Sequence, residues 1–122
     1  MKDESEGQEL IVRTKNFALR IIRLYAALPN STTAQVIGKQ LLRSGTSVGA
    51  HYREGFRARS TAEFISKLEV GLQELDETGY WLELLADSKI VEHSKLVEIR
   101  QEVDELIAIL VTIVRNTKRS RS

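Results

Sequence analysis

Apolar residues recur along this chain at helical spacings, and the pattern is interrupted three times. From about Gln8 to Leu28 the stripe Leu10, Thr14, Phe17, Ile21, Leu24, Leu28 alternates spacings of four and three. That is one face of a helix in a bundle. Ile11, Ala18, Ile22 and Tyr25 widen it. The single proline, Pro29, then predicts a turn, because proline breaks a helix and restricts the residue before it.

A second helix is expected over residues 32–57, opened by a capping box at Thr32-x-x-Gln35. Its stripe, Ala34, Ile37, Leu41, Ser44, Val48, His51, Gly55, is weak, and Gly38, Gly45 and Gly49 interrupt it. Each glycine costs about 1 kcal/mol against alanine inside a helix. Tolerating three predicts close packing on more than one side, or a kink near Gly45. A third helix, over 60–87, opens with the capping box Ser60-x-x-Glu63 and carries the heptad Phe64, Leu68, Gly71, Leu75, Thr78, Leu82, Leu85. A fourth, over 93–116, carries Leu96, Ile99, Val103, Leu106, Leu110, Ile113. Residues 1–7 and the basic tail 117–122 are expected to be flexible.

Short turns make consecutive helices antiparallel neighbours. The fold class is therefore all-α, an antiparallel up-down four-helix bundle in one domain over 8–116. Tyr80 and Trp81 lie off the third seam, and Val111 and Val114 make the fourth helix apolar nearly all round. These four are candidates for a subunit interface; a thicker core is the alternative.

At 122 residues, 42% apolar and 29% charged, the chain can bury a core and is neither disordered nor membrane-like. It has no cysteine, which excludes disulfides and zinc–sulfur sites. The acidic start lacks the apolar segment of a signal peptide, and no apolar run reaches the roughly 18–20 residues of a membrane span. A cytoplasmic location is expected.

Charge changes the picture more. The net charge is only +1. Yet residues 10–59 hold nine basic side chains and one acid, a balance of +8, while residues 60–114 hold four and twelve, a balance of −8. In one reading the halves attract each other within or between subunits. In the other, the basic half binds a phosphate backbone, with Arg13, Arg20, Arg23, Arg43, Arg53, Arg57 and Arg59 as candidate contacts to RNA or DNA.

Candidate chemistry is sparse. His51 precedes Glu54 by one turn, but a di-iron bundle needs Glu-x-x-His on two helices, so no metal is expected. A buried histidine bonded to Ser44, Ser47 or a neighbouring helix is the expected role. Gly38-Lys39 lacks the rest of a phosphate loop, and Ser44, Thr46 and Ser47 lack a base and orienter. No catalytic residue, cofactor or enzymatic activity is expected.

The stretch from Leu41 to Gly55, with Arg43-Ser44-x-x-Ser47 followed by His51 and Glu54-Gly55, resembles a bacterial four-helix-bundle family. So do Arg57, Ala62-Glu63-Phe64 and the run Leu72–Thr78. The family's founders are proteins encoded by intervening sequences in 23S ribosomal RNA genes, and the accessory variability protein of diversity-generating retroelements is a relative. The resemblance covers about residues 10–116. It implies a ring-like homopentamer, nucleic-acid binding through basic surface and, for the retroelement relatives, a scaffold docked on a reverse transcriptase and its template RNA. The family often carries Asn where this chain has His51.

Overall fold

The computed structural model describes residues 4–121, and among them four helices and no strands. They are α1 (Glu4–Ala26), α2 (Thr32–Phe56), α3 (Thr61–Asp87) and α4 (His93–Arg121). At 1.5 Å per residue these are rods of roughly 35–44 Å. Residues 1–3 of the stretch expected to be flexible lie outside the described residues, whereas Glu4–Gly7 form the first turn of α1. Of the basic tail, Ser122 lies outside the described residues, and Thr117–Arg121 continue α4, with Thr117 buried and Lys118 paired to Glu69 at 3.0 Å.

The helix starts follow local chemistry. Ser60 caps α3, its hydroxyl accepting from the Glu63 amide at 3.1 Å, as the capping box predicts. The cap of α2 is Ser31 rather than Thr32, accepting from the Ala34 amide at 3.2 Å. Gln35 is thereby free to reach back, donating to the Pro29 carbonyl at 3.0 Å and accepting from the Tyr25 hydroxyl at 2.8 Å. It clamps the turn instead of completing a box. α3 ends with Lys89 at φ 63°, where glycine is the usual choice, and the Ile90 amide reaches the Leu85 carbonyl.

Contacts between consecutive helices run in opposite senses, so each pair is antiparallel. Along α2 in order, Gly38 faces Tyr25 and Leu28, Gly45 faces Ile21, and Gly49 faces Thr14. Ser44 meets Thr78, and Gly55 meets Leu68. Gly71 faces Leu110 and Gly79 faces Val103. α2 thus packs on α1 and α3 at once, which is the close approach its glycines predict, and it runs as one continuous helix through Gly45. α2 and α3 make the most extensive pairing.

The core comes from the expected stripes of α1, α3 and α4. On α2 one position differs. Tyr52, 1% exposed, fills the core place expected for His51, while His51 lies half-buried at the edge. Both positions follow Val48 by about one turn, and the bulkier, less polar side chain takes the interior. The hydroxyls of Ser44 and Thr78 are buried between α2 and α3, 2.8 Å apart. Thr78 donates to the Glu74 carbonyl, leaving Ser44 to donate to Thr78.

Two predictions follow from this packing. A Cβ at Gly45 would stand 2.8 Å from Cγ1 and 3.2 Å from Cβ of Ile21, which cannot swing aside, whereas at Gly79 the nearest atom is 3.6 Å away. Gly79→Ala should therefore raise the thermal midpoint, by about 0.5–1 kcal/mol of stability, and Gly45→Ala should lower it despite the same gain in helix propensity. The second concerns Tyr52, whose hydroxyl is buried without a hydrogen-bond partner. Burial, with the Glu6 charge second, pushes this hydroxyl up to about 12. A raised folded value favours the protonated form, so its contribution is intact below the unfolded value of about 10 and is lost as pH rises through about 12. In chemical denaturation across alkaline pH, Tyr52→Phe should flatten that loss.

Candidate nucleic-acid interface

Seven arginines are candidates for phosphate contact, and the fold divides them. Arg13 on α1 reaches across to α4, where Glu102 receives its guanidinium at 2.8 and 2.9 Å and Glu105 adds a contact at 2.9 Å. The hydrogen bond to Glu102 is the largest influence holding Arg13 above its ordinary pKa. Arg43 on α2 reaches α3 in the same manner, between Glu74 at 3.3 Å and Glu77. Desolvation is the largest single influence on Arg43 and acts downward, but the hydrogen bonds and charges of Glu74 and Glu77 together outweigh it and hold the guanidinium above its ordinary pKa. In each case two glutamates at i and i+3 on one helix grip an arginine from another. Arg13 and Arg43 therefore tie helices together within the chain.

The side chains of Arg20, Arg23, Arg53, Arg57 and Arg59 make no hydrogen bond or ion pair among the described residues. The structure sets four of them in two grooves. Where α1 and α2 approach through small residues, Thr14, Ala18, Gly49 and Ala50 floor a groove of about 420 Å³. Lys15, Arg53 and Arg57 stand along it, with Glu54, which is already paired to Lys67 at 3.1 Å. That pairing, with His51 a lesser influence, lowers the Glu54 carboxyl from its ordinary value. The second groove, about 530 Å³, lies between α1 and the start of α4 and carries Arg20, Arg23 and Lys95, with Glu98. Arg59 stands in the α2–α3 connection. Lys15 and Lys95 were not among the arginine candidates. Lys15 could have been found from its place on the same helix face as Ala18 and Ile11.

The motif residues gather elsewhere. Arg43 pairs with Glu74 and Glu77, Ser44 bonds Thr78, Glu54 pairs with Lys67, and Gly55 lies against Leu68, all on α3. His51 faces Glu54 at 3.5 Å and Glu74 at 3.9 Å, rather than bonding Ser44 or Ser47. Ser47 donates to the Arg43 carbonyl at 2.7 Å. The Arg-Ser-x-x-Ser…Glu-Gly stretch is thus the α2 side of the α2–α3 seam.

The family model of the 23S rRNA-intervening sequence protein matches residues 7–112. The chain belongs to this family. A solved structure from Bacteroides thetaiotaomicron, described as a protein of unknown function from the S23 ribosomal protein family, is 38% identical to this intervening-sequence family member. The match covers 89% of this chain and 97% of that one, with a TM-score of 0.84. No curated protein matches.

Of the four interface candidates, Val114 is buried in the core of this one chain and Trp81 and Val111 are half-buried. Tyr80 is 52% exposed and rests edge-on against Trp81, ring centroids 5.1 Å apart. No helix is long and apolar enough to cross a membrane, and no three acidic or histidine side chains are grouped to hold a metal among the described residues.

Since Arg43 joins α2 to α3 through an exposed contact, Arg43→Gln should cost no more than about 1 kcal/mol at low salt. The loss, read from urea unfolding midpoints, should shrink as ionic strength rises.

Proposed function

We propose that this chain is a non-catalytic, homo-oligomeric module that binds RNA or DNA through the unpaired cations of its basic half. The observation that carries this reading is the division of the arginines. Arg13 and Arg43 are consumed by glutamates, while Arg20, Arg23, Arg53, Arg57 and Arg59 face solvent or grooves with no carboxylate partner. A surface with that much unneutralised guanidinium attracts polyanions, and the planar fork suits phosphate oxygens. The family's description, which ties it to intervening sequences of 23S ribosomal RNA, supports RNA as the polyanion. A cytoplasmic location is part of the same reading. So is a ring-like assembly, five copies being the number implied by the family resemblance.

Fluorescence anisotropy with labelled RNA and DNA across salt concentrations tests it. Affinity should fall steeply with salt, because each neutralised phosphate releases counterions. Replacing Arg20 and Arg23 together by Gln should reduce the log–log slope by about 1.4–1.8. Arg13→Gln should leave the slope unchanged. Binding that is absent, or flat between low and moderate salt, refutes the proposal.

A further inference from the structure

The basic groove between α1 and α2 has a counterpart between α3 and α4, of the same size and opposite charge. That second groove is also about 420 Å³, and its rim carries Asp76, Glu83 and Asp104, with Arg100 and the exposed ring of Tyr80. The side chains of the three acids make no hydrogen bond or ion pair among the described residues, and neither do those of Lys15, Arg53 and Arg57 opposite. In an up-down bundle these two grooves lie on opposite sides. Tyr80 stands one turn from Asp76 and one turn from Glu83, an aromatic ring between two carboxylates on one face of α3.

Apolar surface points the same way. Val12, Lys15, Leu19 and Ile22 follow at spacings of three, four and three, so α1 has a second stripe facing outward beside the groove. Val12 is 57% exposed, Leu19 39% and Ile22 44%. A hydrated phosphate backbone leaves such a stripe uncovered, whereas a helix face with its own apolar residues covers it.

We propose that the α1–α2 groove seats the α3–α4 face of a second copy of this chain. The partner subunit's Tyr80 enters over Ala18, Gly49 and Ala50, and the partner subunit's Asp76 and Glu83 meet Lys15, Arg53 and Arg57. The contact joins two different faces, so it is heterologous and propagates into a closed ring or a filament. It deepens the homo-oligomeric part of the proposed function and does not depend on nucleic-acid binding. It assigns Arg53 and Arg57 to assembly, leaving Arg20, Arg23 and Arg59 for phosphate.

The test is mass by light scattering on the full chain and on two charge-reversed forms, R53E/R57E and D76K/E83K, with circular dichroism to check that each folds. The wild type should be oligomeric and each double variant should fall to monomer mass. An equimolar mixture of the two should rise above monomer mass, because every junction between unlike variants is either native or has both signs exchanged; strict alternation then closes only rings with an even number of copies. Tyr80→Ser, at an exposed position that the single chain does not need, should also weaken assembly. A monomeric wild type, wild-type mass in either double variant, or a mixture that stays monomeric overturns the proposal. Arg20→Gln with Arg23→Gln separates it from the nucleic-acid reading, since that pair should change RNA affinity and leave mass unchanged.

Discussion

α2 is pressed between two neighbours, and the rest of the molecule follows from that constraint. A helix that packs on both sides must be thin on both. Toward α1 it offers Gly38, Gly45 and Gly49; toward α3 it offers Ser44 and Gly55. Glycine inside a helix is unfavourable by about 1 kcal/mol each. The offset is burial of Ile21 against Gly45 and of Leu68 against Gly55, with the Ser44–Thr78 hydrogen bond closing the deepest polar gap. The same thinness leaves a shallow groove on the outer side of the α1–α2 junction, where long cations stand over a floor of small residues.

The α2–α3 seam also accounts for the most recognisable stretch of the chain. Arg43, Ser44, His51, Glu54 and Gly55 each touch or face α3. Residue types that would suit phosphate or metal chemistry are here used to hold one helix at a fixed depth and register against another. His51 fits this role with each nitrogen turned toward a carboxylate, Nδ1 to Glu54 and Nε2 to Glu74.

Much of this was legible beforehand, and the failures have physical causes. The stripes of α1, α3 and α4 are dominated by large aliphatics, so period alone identified their buried faces. On α2 the apolar signal is diluted by glycine, and the choice between His51 and Tyr52 depended on packing volume rather than period. With the cap at Ser31 rather than Thr32, Gln35 binds Pro29 and Tyr25, a contact between turn and helix that local motifs do not encode. The charge split was visible, but not its partition. Glu74/Glu77 and Glu102/Glu105 each stand one turn apart and form a ready receptor for one arginine. Which arginine fills each receptor depends on the tertiary arrangement.

That partition bears on what the surface can do. Of nine cations in residues 10–59, Arg13 and Arg43 are matched to carboxylates within the chain, so most of the +8 balance persists at the surface, as does the acidity of the α3–α4 face. Such a molecule can satisfy its basic side with a polyanion or with the acidic side of another copy. Salt weakens both and so cannot separate them. Apolar surface can. The stripe of Val12, Leu19 and Ile22 beside Lys15 gains nothing from phosphate and is removed from water by a protein face. Arg20 and Arg23 line a different groove from that floor of small residues, where no such preference operates. The two proposed partners are therefore compatible on one surface, assembly being assigned the groove with the apolar margin and nucleic acid the cations that assembly would leave open.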